Sequence, residues 1–384
     1  MKKIYLFAAM ILLIFSSSCG KKVGTATVEV VDGVKFVHCT DQPLHPKRTV
    51  EFIEELTISG EDDAGNVILY QPGAYTIDSD ENIYISDRSE NVIKVFDRDG
   101  QLLKTIGGKG SGPGEFQSIG RMMFLPDKRL IVMDFQLRRT SFFDTSWNFS
   151  TSVQWRNAHF DAYFVTDSTY TIDENIFGEE RELFVKTYDF AHNERLSYGK
   201  FTPYGMKMHR QGDMAFAITD PFKPRSVLTG DLTNHLLYHC LNDKYLIEVY
   251  GADGKVCCKI DRPYQPMPFT ETDKEEYISQ FADNDNPVFQ EMAKGMEFPA
   301  LKTVVERMFV DDEGRLWVVT NEEKEQDGAT FTAYDIFNKD GFYDARVWLD
   351  VTPGGFVNGK MYSIHTDKDT DLRSLKRYNV VWKG

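Results

Sequence analysis

Residues Asn82 to Gly107 read NIYISDRSENVIKVFDRDGQLLKTIG, and a weaker copy of the same stretch begins at Arg129. A unit repeated at this spacing dictates the architecture, because one copy cannot bury its own apolar face and must stack on the next. The unit opens with an apolar run, Tyr75 to Ile77, and turns at Asp80-Glu81-Asn82. It continues through Ile83 to Ser86, Val92 to Phe96 and, after Asp99-Gly100, Leu102 to Ile106. Short β-branched and aromatic runs between turn residues spell antiparallel strands, the make-up of one propeller blade. The second copy runs Met122 to Leu125, Leu130 to Met133, Thr140 to Phe143 and Phe149 to Trp155, and Asp87 stands to Phe96 as Asp134 stands to Phe143.

Fainter copies fit Ala162 to Phe201, Val227 to Asp261, Glu306 to Asp350 and Gly355 to Trp382. The expected fold is therefore all-β, a six-bladed β-propeller. Seven is the rival blade count, because Thr202 to Pro224 leaves room for further strands. Val50 to Ile58 precedes the first blade and is expected to complete the last, closing the ring and removing exposed edges. One segment departs from the pattern. Thr272-Asp273-Lys274-Glu275 has capping-box spacing and leads into a helix over Glu276 to Ala282, with a second helical stretch over Pro287 to Met296. This places a helical insertion at about 270–299, between the fourth and fifth blades. Its apolar residues Phe281, Phe289, Met292 and Met296 are expected to pack on the propeller, with a partner-binding lid as the sharper reading.

The N-terminus carries Lys2-Lys3, an apolar stretch Ile4 to Phe15, then Ser16-Ser17-Ser18-Cys19. That stretch is too short to span a bilayer and reads as a secretory signal. The small-residue triplet ending in cysteine resembles the lipoprotein processing site of bacteria, although Ser16 stands where leucine is usual. The division expected is a signal peptide at 1–18, a lipid anchor at Cys19 with a tether to residue 47, and a propeller at 48–384. Acyl chains on Cys19 would hold the protein at a membrane. The formal net charge of −15 becomes more negative once Lys2 and Lys3 are removed, which excludes nonspecific nucleic-acid binding. Cys39, Cys240, Cys257 and Cys258 lack metal-ligand spacing and read as buried free thiols, with one disulfide as the alternative in an oxidising compartment.

Gly107-Gly108-Lys109-Gly110-Ser111-Gly112-Pro113-Gly114-Glu115-Phe116 invites a phosphate-binding interpretation, but it lacks the Gly-Lys-Ser/Thr ending before a helix and is not a P-loop. A blade followed by Gly-x-Gly-Pro-Gly-Glu-Phe resembles NHL-type repeats. With the signal cysteine, the leader strand, and Phe298-Pro299-Ala300 ahead of Val310 to Val318, the chain resembles the six-bladed, TolB-like propeller lipoproteins of Gram-negative bacteria. The resemblance implies a lipid-anchored protein of the cell envelope at the outer membrane. Gly20-Lys21-Lys22 is not the acid-rich leader of surface export, so the periplasmic face is favoured over the cell surface. It also implies a noncatalytic binding or scaffold role toward an envelope protein partner or a glycan. Related propellers include metal-dependent lyases and calcium-dependent lactonases, so a metal-dependent hydrolase or lyase in the channel is the alternative. The eight histidines form no paired zinc motif. No cofactor is expected, and calcium or another divalent ion in the channel stays open. A Ser-His-Asp arrangement fits the spacing without any one being singled out.

Stepping nine residues back from the second strands at Ile83, Leu130, Tyr170 and Leu316 lands on Ala74, Arg121, Asp161 and Arg307, which open successive innermost strands. Arg225 precedes another. The starts of these strands ring the channel mouth, where forked guanidinium bonds bind carboxylate, phosphate or an acidic sugar. Arg121, Asp161, Arg225 and Arg307 are thus the candidate ligand-binding residues. An interblade Arg121–Asp161 bridge is the competing structural role. Asp87, Asp134 and Asp173 share that face and read as turn caps. Trp155, Phe160 and Tyr163 stand near the same mouth and suit either sugar stacking or the core.

Overall fold

The structure, a computed structural model, describes residues 21–23, 26–60, 68–178, 180–211, 214–220, 222–282, 297–367 and 370–384. The chain begins with β1 (Lys21–Val23), β2 (Ala26–Val31), β3 (Val34–His38) and β4 (Thr49–Ile58). Blade one is β5 (Pro72–Ile77), β6 (Ile83–Asp87), β7 (Val92–Phe96) and β8 (Leu102–Ile106). Blade two is β9 (Ile119–Phe124), β10 (Leu130–Asp134), β11 (Arg139–Phe143) and β12 (Phe149–Gln154). Blade three is β13 (Ala162–Val165), β14 (Thr169–Phe177), β15 (Arg181–Asp189) and β16 (Glu194–Phe201). A hairpin of β17 (Gly205–Gln211) and β18 (Met214–Asp220) follows. Blade four is β19 (Ser226–Asp231), β20 (Leu236–Leu241), β21 (Leu246–Tyr250) and β22 (Val256–Asp261), and α1 (Glu271–Ala282) comes next. Blade five is β23 (Arg307–Val310), β24 (Leu316–Gln326), β25 (Ala329–Phe337) and β26 (Tyr343–Leu349). Blade six is β27 (Gly355–Val357), β28 (Lys360–Thr366) and β29 (Arg373–Lys383), completed by β4.

Six blades close the ring. The rival seventh is ruled out by β17 and β18, which pair only with each other and form no blade. Closure joins β29 to β4 antiparallel, from Leu375↔Ile58 to Lys383↔Thr49. The core lies between neighbouring blades: Tyr84, Val95, Phe116 and Val132 are buried between blades one and two, and Ile58, Ile83 and Leu375 between six and one. Turn chemistry repeats with the blades. Asp97, Asp144, Asp189 and Asp311 each accept the backbone N–H groups two and four residues on, fixing the outer hairpins of blades one to three and the inner hairpin of blade five.

The stretch expected to be a tether with some strand character is instead built into a blade. β3 pairs in parallel with β22, and β2 and β1 continue the sheet outward, so blade four has seven strands. Ala26, Val37 and Cys39 are buried in the core of that blade. The physical reason is a Val-rich alternation on both sides of Asp32-Gly33, whose φ angles of 51° and 82° suit a tight hairpin turn.

The helix starts earlier than its sequence signal implied. Thr270 and Asp273 form the cap: the Asp273 carboxylate accepts Thr270 N–H at 2.7 Å, and Asp273 N–H donates to Thr270 Oγ1 at 3.2 Å. Pro287 to Met296, with Phe289, Met292 and Met296, lies outside the described residues, as does the side chain of Phe281. Cys19 and the signal segment lie outside them too. All four described cysteines are free, and Cys257 departs from the expected burial because it sits exposed on the β22 strand.

The glycine loop is an interblade clasp. Phe116 is fully buried against Phe143, and a Cβ at Gly107, where φ is +83°, would fall 2.4 Å from the Phe116 ring. Arg139, which the sequence reading passed over, donates to the carbonyls of Ser111 at 3.0 Å, Gly112 at 2.8 Å, and Glu115.

Candidate functional site at the channel mouth

The mouth is built where innermost strands begin. Arg121 lies in β9, Arg307 opens β23, and Asp161 and Arg225 immediately precede β13 and β19. The turn carboxylates hold this scaffold together. Asp87 accepts N–H bonds from Tyr70 at 2.6 Å, Gln71 and Ser89, and Asp134 accepts them from Gln117 at 2.7 Å, Ser118 and Leu137. Asp173 accepts from Phe160 N–H at 2.7 Å and Asp161 N–H at 2.8 Å. In each of these blades a second-strand carboxylate, at the strand end for Asp87 and Asp134 and at mid-strand for Asp173, pins the loop that leads into the innermost strand. Burial pushes the Asp173 carboxyl up to about 6, against the pull of the Asp161 and Phe160 N–H groups. In blade four Asn242 takes the same part, accepting Arg225 N–H at 2.8 Å. Its signal in the sequence was its place just past a second strand.

Arg121 donates to Asp161 at 2.5 Å across blades two and three. Both side chains are about half exposed, and Arg121 stands outside the cavity described next. That bridge is the structural role weighed for it.

A cavity of about 560 Å³ opens against blades three, four and five. Three guanidiniums line it: Arg225, Arg307 and Arg181, the last absent from the sequence reading. Arg225 lies 4.3 Å over the Tyr204 ring and donates to Glu306 O at 3.2 Å. Arg307 sits 5.2 Å from the Phe309 ring centre. Arg181 donates to Asn175 Oδ1 at 3.0 and 2.7 Å and faces the rings of Phe177 and Phe160 at 5.4 and 5.8 Å. Among the described residues none of the three forms a salt bridge, although the Asp173 carboxylate on the same wall acts on Arg181 through space. The cavity's own acids are engaged elsewhere: Asp161 by Arg121, Asp173 by backbone N–H groups, and Glu306 by the Thr303 hydroxyl.

Arg181 escaped the nine-residue register because it opens β15, in a hairpin whose strands run 9 residues each, against 5 for the matching strands of blade one. The rim is aromatic, with Phe160 and Tyr204 exposed by 40 and 42%. Trp155 and Tyr163, the other candidate stacking rings, are buried. Phe222, which follows the β17–β18 hairpin, packs on Phe269, Tyr277 and Phe298 at 5.2, 4.9 and 5.2 Å, fastening that hairpin to the helical insertion. Among the described residues, no group of three or more His, Cys, Asp or Glu is placed to hold a metal ion.

A family model described as 6-bladed beta-propeller matches residues 75–170, the first two blades and the start of the third. No curated protein matches the chain. Among solved structures, a Bacteroides fragilis protein, whose name offers export as a proposal, aligns at 11% identity over 91% of this chain and 100% of its own, with a TM-score of 0.53. A Bacteroides vulgatus protein aligns at 11% identity over 87% and 99%, with a TM-score of 0.51. The likeness is one of fold. Virginiamycin B lyase from Staphylococcus aureus, at 8% identity, 86% and 99% coverage and a TM-score of 0.43, carries no argument about activity.

Proposed function

We propose that this protein is a lipid-anchored propeller of the cell envelope that binds an acidic ligand, a glycan or the acidic segment of a protein partner, at its channel mouth. The observation that supports the reading is the group of three guanidiniums, none in a salt bridge among the described residues, around one open cavity. Arginines in that state are ready-made for forked bonds to carboxylates. The exposed rings of Phe160 and Tyr204 suit stacking on the C–H face of a sugar and favour a glycan over a simple anion. Binding alone, without turnover, is all this role requires. Because β1 starts two residues after Cys19, acyl chains there would place the outer edge of blade four within about 7 Å of the anchor.

Calorimetric titration with oligogalacturonate, a sulfated oligosaccharide and neutral xylo-oligosaccharide tests the reading. Acidic sugars are expected to bind and Arg225→Gln to weaken them; equal binding of the neutral sugar, or indifference to Arg225→Gln, sinks it.

A further inference from the structure

One polar chain at the mouth is unused by anion binding. Ser226 Oγ lies 2.9 Å from His239 Nε2, and His239 Nδ1 lies 3.2 Å from Glu248 Oε2. The three residues come from β19, β20 and β21, with His239 directly opposite Glu248 in register. Lys259 holds the other Glu248 oxygen at 2.7 Å. With Nδ1–H donated to Glu248, His239 Nε2 is free to accept the serine proton. Glu248 is held down to about 2, first by the His239 hydrogen bond and then by Lys259, against the effect of burial, so it is ionised at neutral pH. A nucleophile, a base in hydrogen-bond reach, and a carboxylate orienting that base are the parts of a serine hydrolase.

Access follows from strand alternation. Ser226 and Leu228 share the face of β19 turned toward blade three, and Leu228 packs there on the apolar cluster that contains Leu183 and Phe201. Ser226, Leu228, Leu183 and Arg181 all line the cavity. The serine therefore sits on the cavity wall between Arg225, its neighbour in the chain, and Arg181 across the gap.

We infer that Ser226, His239 and Glu248 form a hydrolytic relay acting on an ester carried by the acidic ligand of the mouth, an O-acylated acidic saccharide being the chemical class that fits. His239 Nε2 takes the Ser226 proton as Oγ bonds to the ester carbonyl carbon, and the oxyanion that forms lies among guanidiniums. The bond from that carbon to the sugar oxygen then breaks, and the sugar oxygen takes the proton from His239. Water, deprotonated by His239, adds to the acyl-serine; the Oγ–acyl bond breaks, Oγ recovers the proton, and a carboxylic acid leaves. The inference rests on the mouth being the ligand site and adds chemistry to it.

A fluorophosphonate probe tests it, because attack by an activated serine forms an Oγ–P bond and expels fluoride. A mass adduct on the peptide containing Ser226 is expected in the full-length protein, forming about a hundredfold or more slowly in His239→Ala and not at all in Ser226→Ala. Absence of an adduct on the wild type, or equal rates in wild type and a folded His239→Ala, overturns the relay. Oligogalacturonate is expected to slow labelling. Labelling without that protection supports the relay and refutes acidic-glycan binding at the mouth, which separates the two failures.

Discussion

Replacing Arg307 and Arg121 separately by Gln distinguishes an arginine kept for a ligand from one that locks the ring. Arg121 pairs with Asp161 at 2.5 Å, with side-chain exposures of 49 and 43%. An ion pair that open to solvent contributes about 0–1 kcal/mol, so Arg121→Gln is expected to lower the melting midpoint slightly, by about 3 °C at most. Among the described residues Arg307 has no ion pair to lose, and it shares a cavity with two other guanidiniums, so Arg307→Gln is expected to leave stability within about 0.5 kcal/mol. Binding is expected to rank the two the other way. A hydrogen bond to a charged group is worth about 1.5–3 kcal/mol, and its loss weakens an acidic ligand about tenfold to hundredfold. Arg121→Gln acts only by freeing Asp161 on the cavity wall, through solvent, and costs a few-fold at most. Differential scanning calorimetry and titration with oligogalacturonate supply both axes. A clear loss of stability in Arg307→Gln, or equal binding losses in the two variants, would refute the assignment.

Ile58→Ala, at the seam where β4 meets β29, removes a side chain only 3% exposed and is expected to cost about 2–5 kcal/mol in denaturant unfolding; a smaller loss would mean closure does not limit stability. Arg139→Met leaves three loop carbonyls without their donor and is expected to cost about 2–4 kcal/mol, with new proteolytic cleavage between Gly107 and Phe116 as the specific sign. At His38, burial opposes protonation, but hydrogen bonds to Asp261 and Glu29 outweigh it and raise the pKa. The stabilisation is therefore complete below about pH 6.5 and is lost as pH rises through the raised value, so slower amide exchange is expected in β2 and β3 at pH 6 than at pH 8.5, after correction for intrinsic rates. His38→Phe should abolish that difference.

Blade boundaries were legible wherever the repeat was sharp, because alternating apolar runs and Asp-Gly turns fix strands locally. The ring closure was legible too, since a leader strand without a blade has one open edge to fill. The N-terminal hairpin carried the same Asp-Gly signal at Asp32-Gly33 but was overshadowed by its place beside the proposed anchor. Arg307 opens β23 and Arg225 precedes β19, while Arg121 stands third in β9; the partners of these arginines were not legible. Whether an arginine meets a carboxylate depends on the neighbouring blade, and no spacing within one repeat encodes it. Arg181 and the Ser226–His239–Glu248 contacts depend on strand length and cross-strand register, which emerge only from the assembled blades.

A mouth rich in arginine within a chain of net charge −15 has a kinetic consequence. At very low salt an acidic ligand is repelled by the whole protein before it meets the guanidiniums, because long-range fields are unscreened. At physiological ionic strength the screening length falls to about 8 Å, which silences scattered surface carboxylates while leaving contacts inside the cavity largely intact. The association rate of oligogalacturonate is therefore expected to rise as salt is added from near zero, while the dissociation rate rises only at higher salt, when the ion pairs themselves weaken. Stopped-flow mixing measures both rates. An association rate that falls monotonically with salt would mean the ligand senses a net positive field, placing the binding surface on a basic patch broader than these three arginines and refuting a site confined to the cavity.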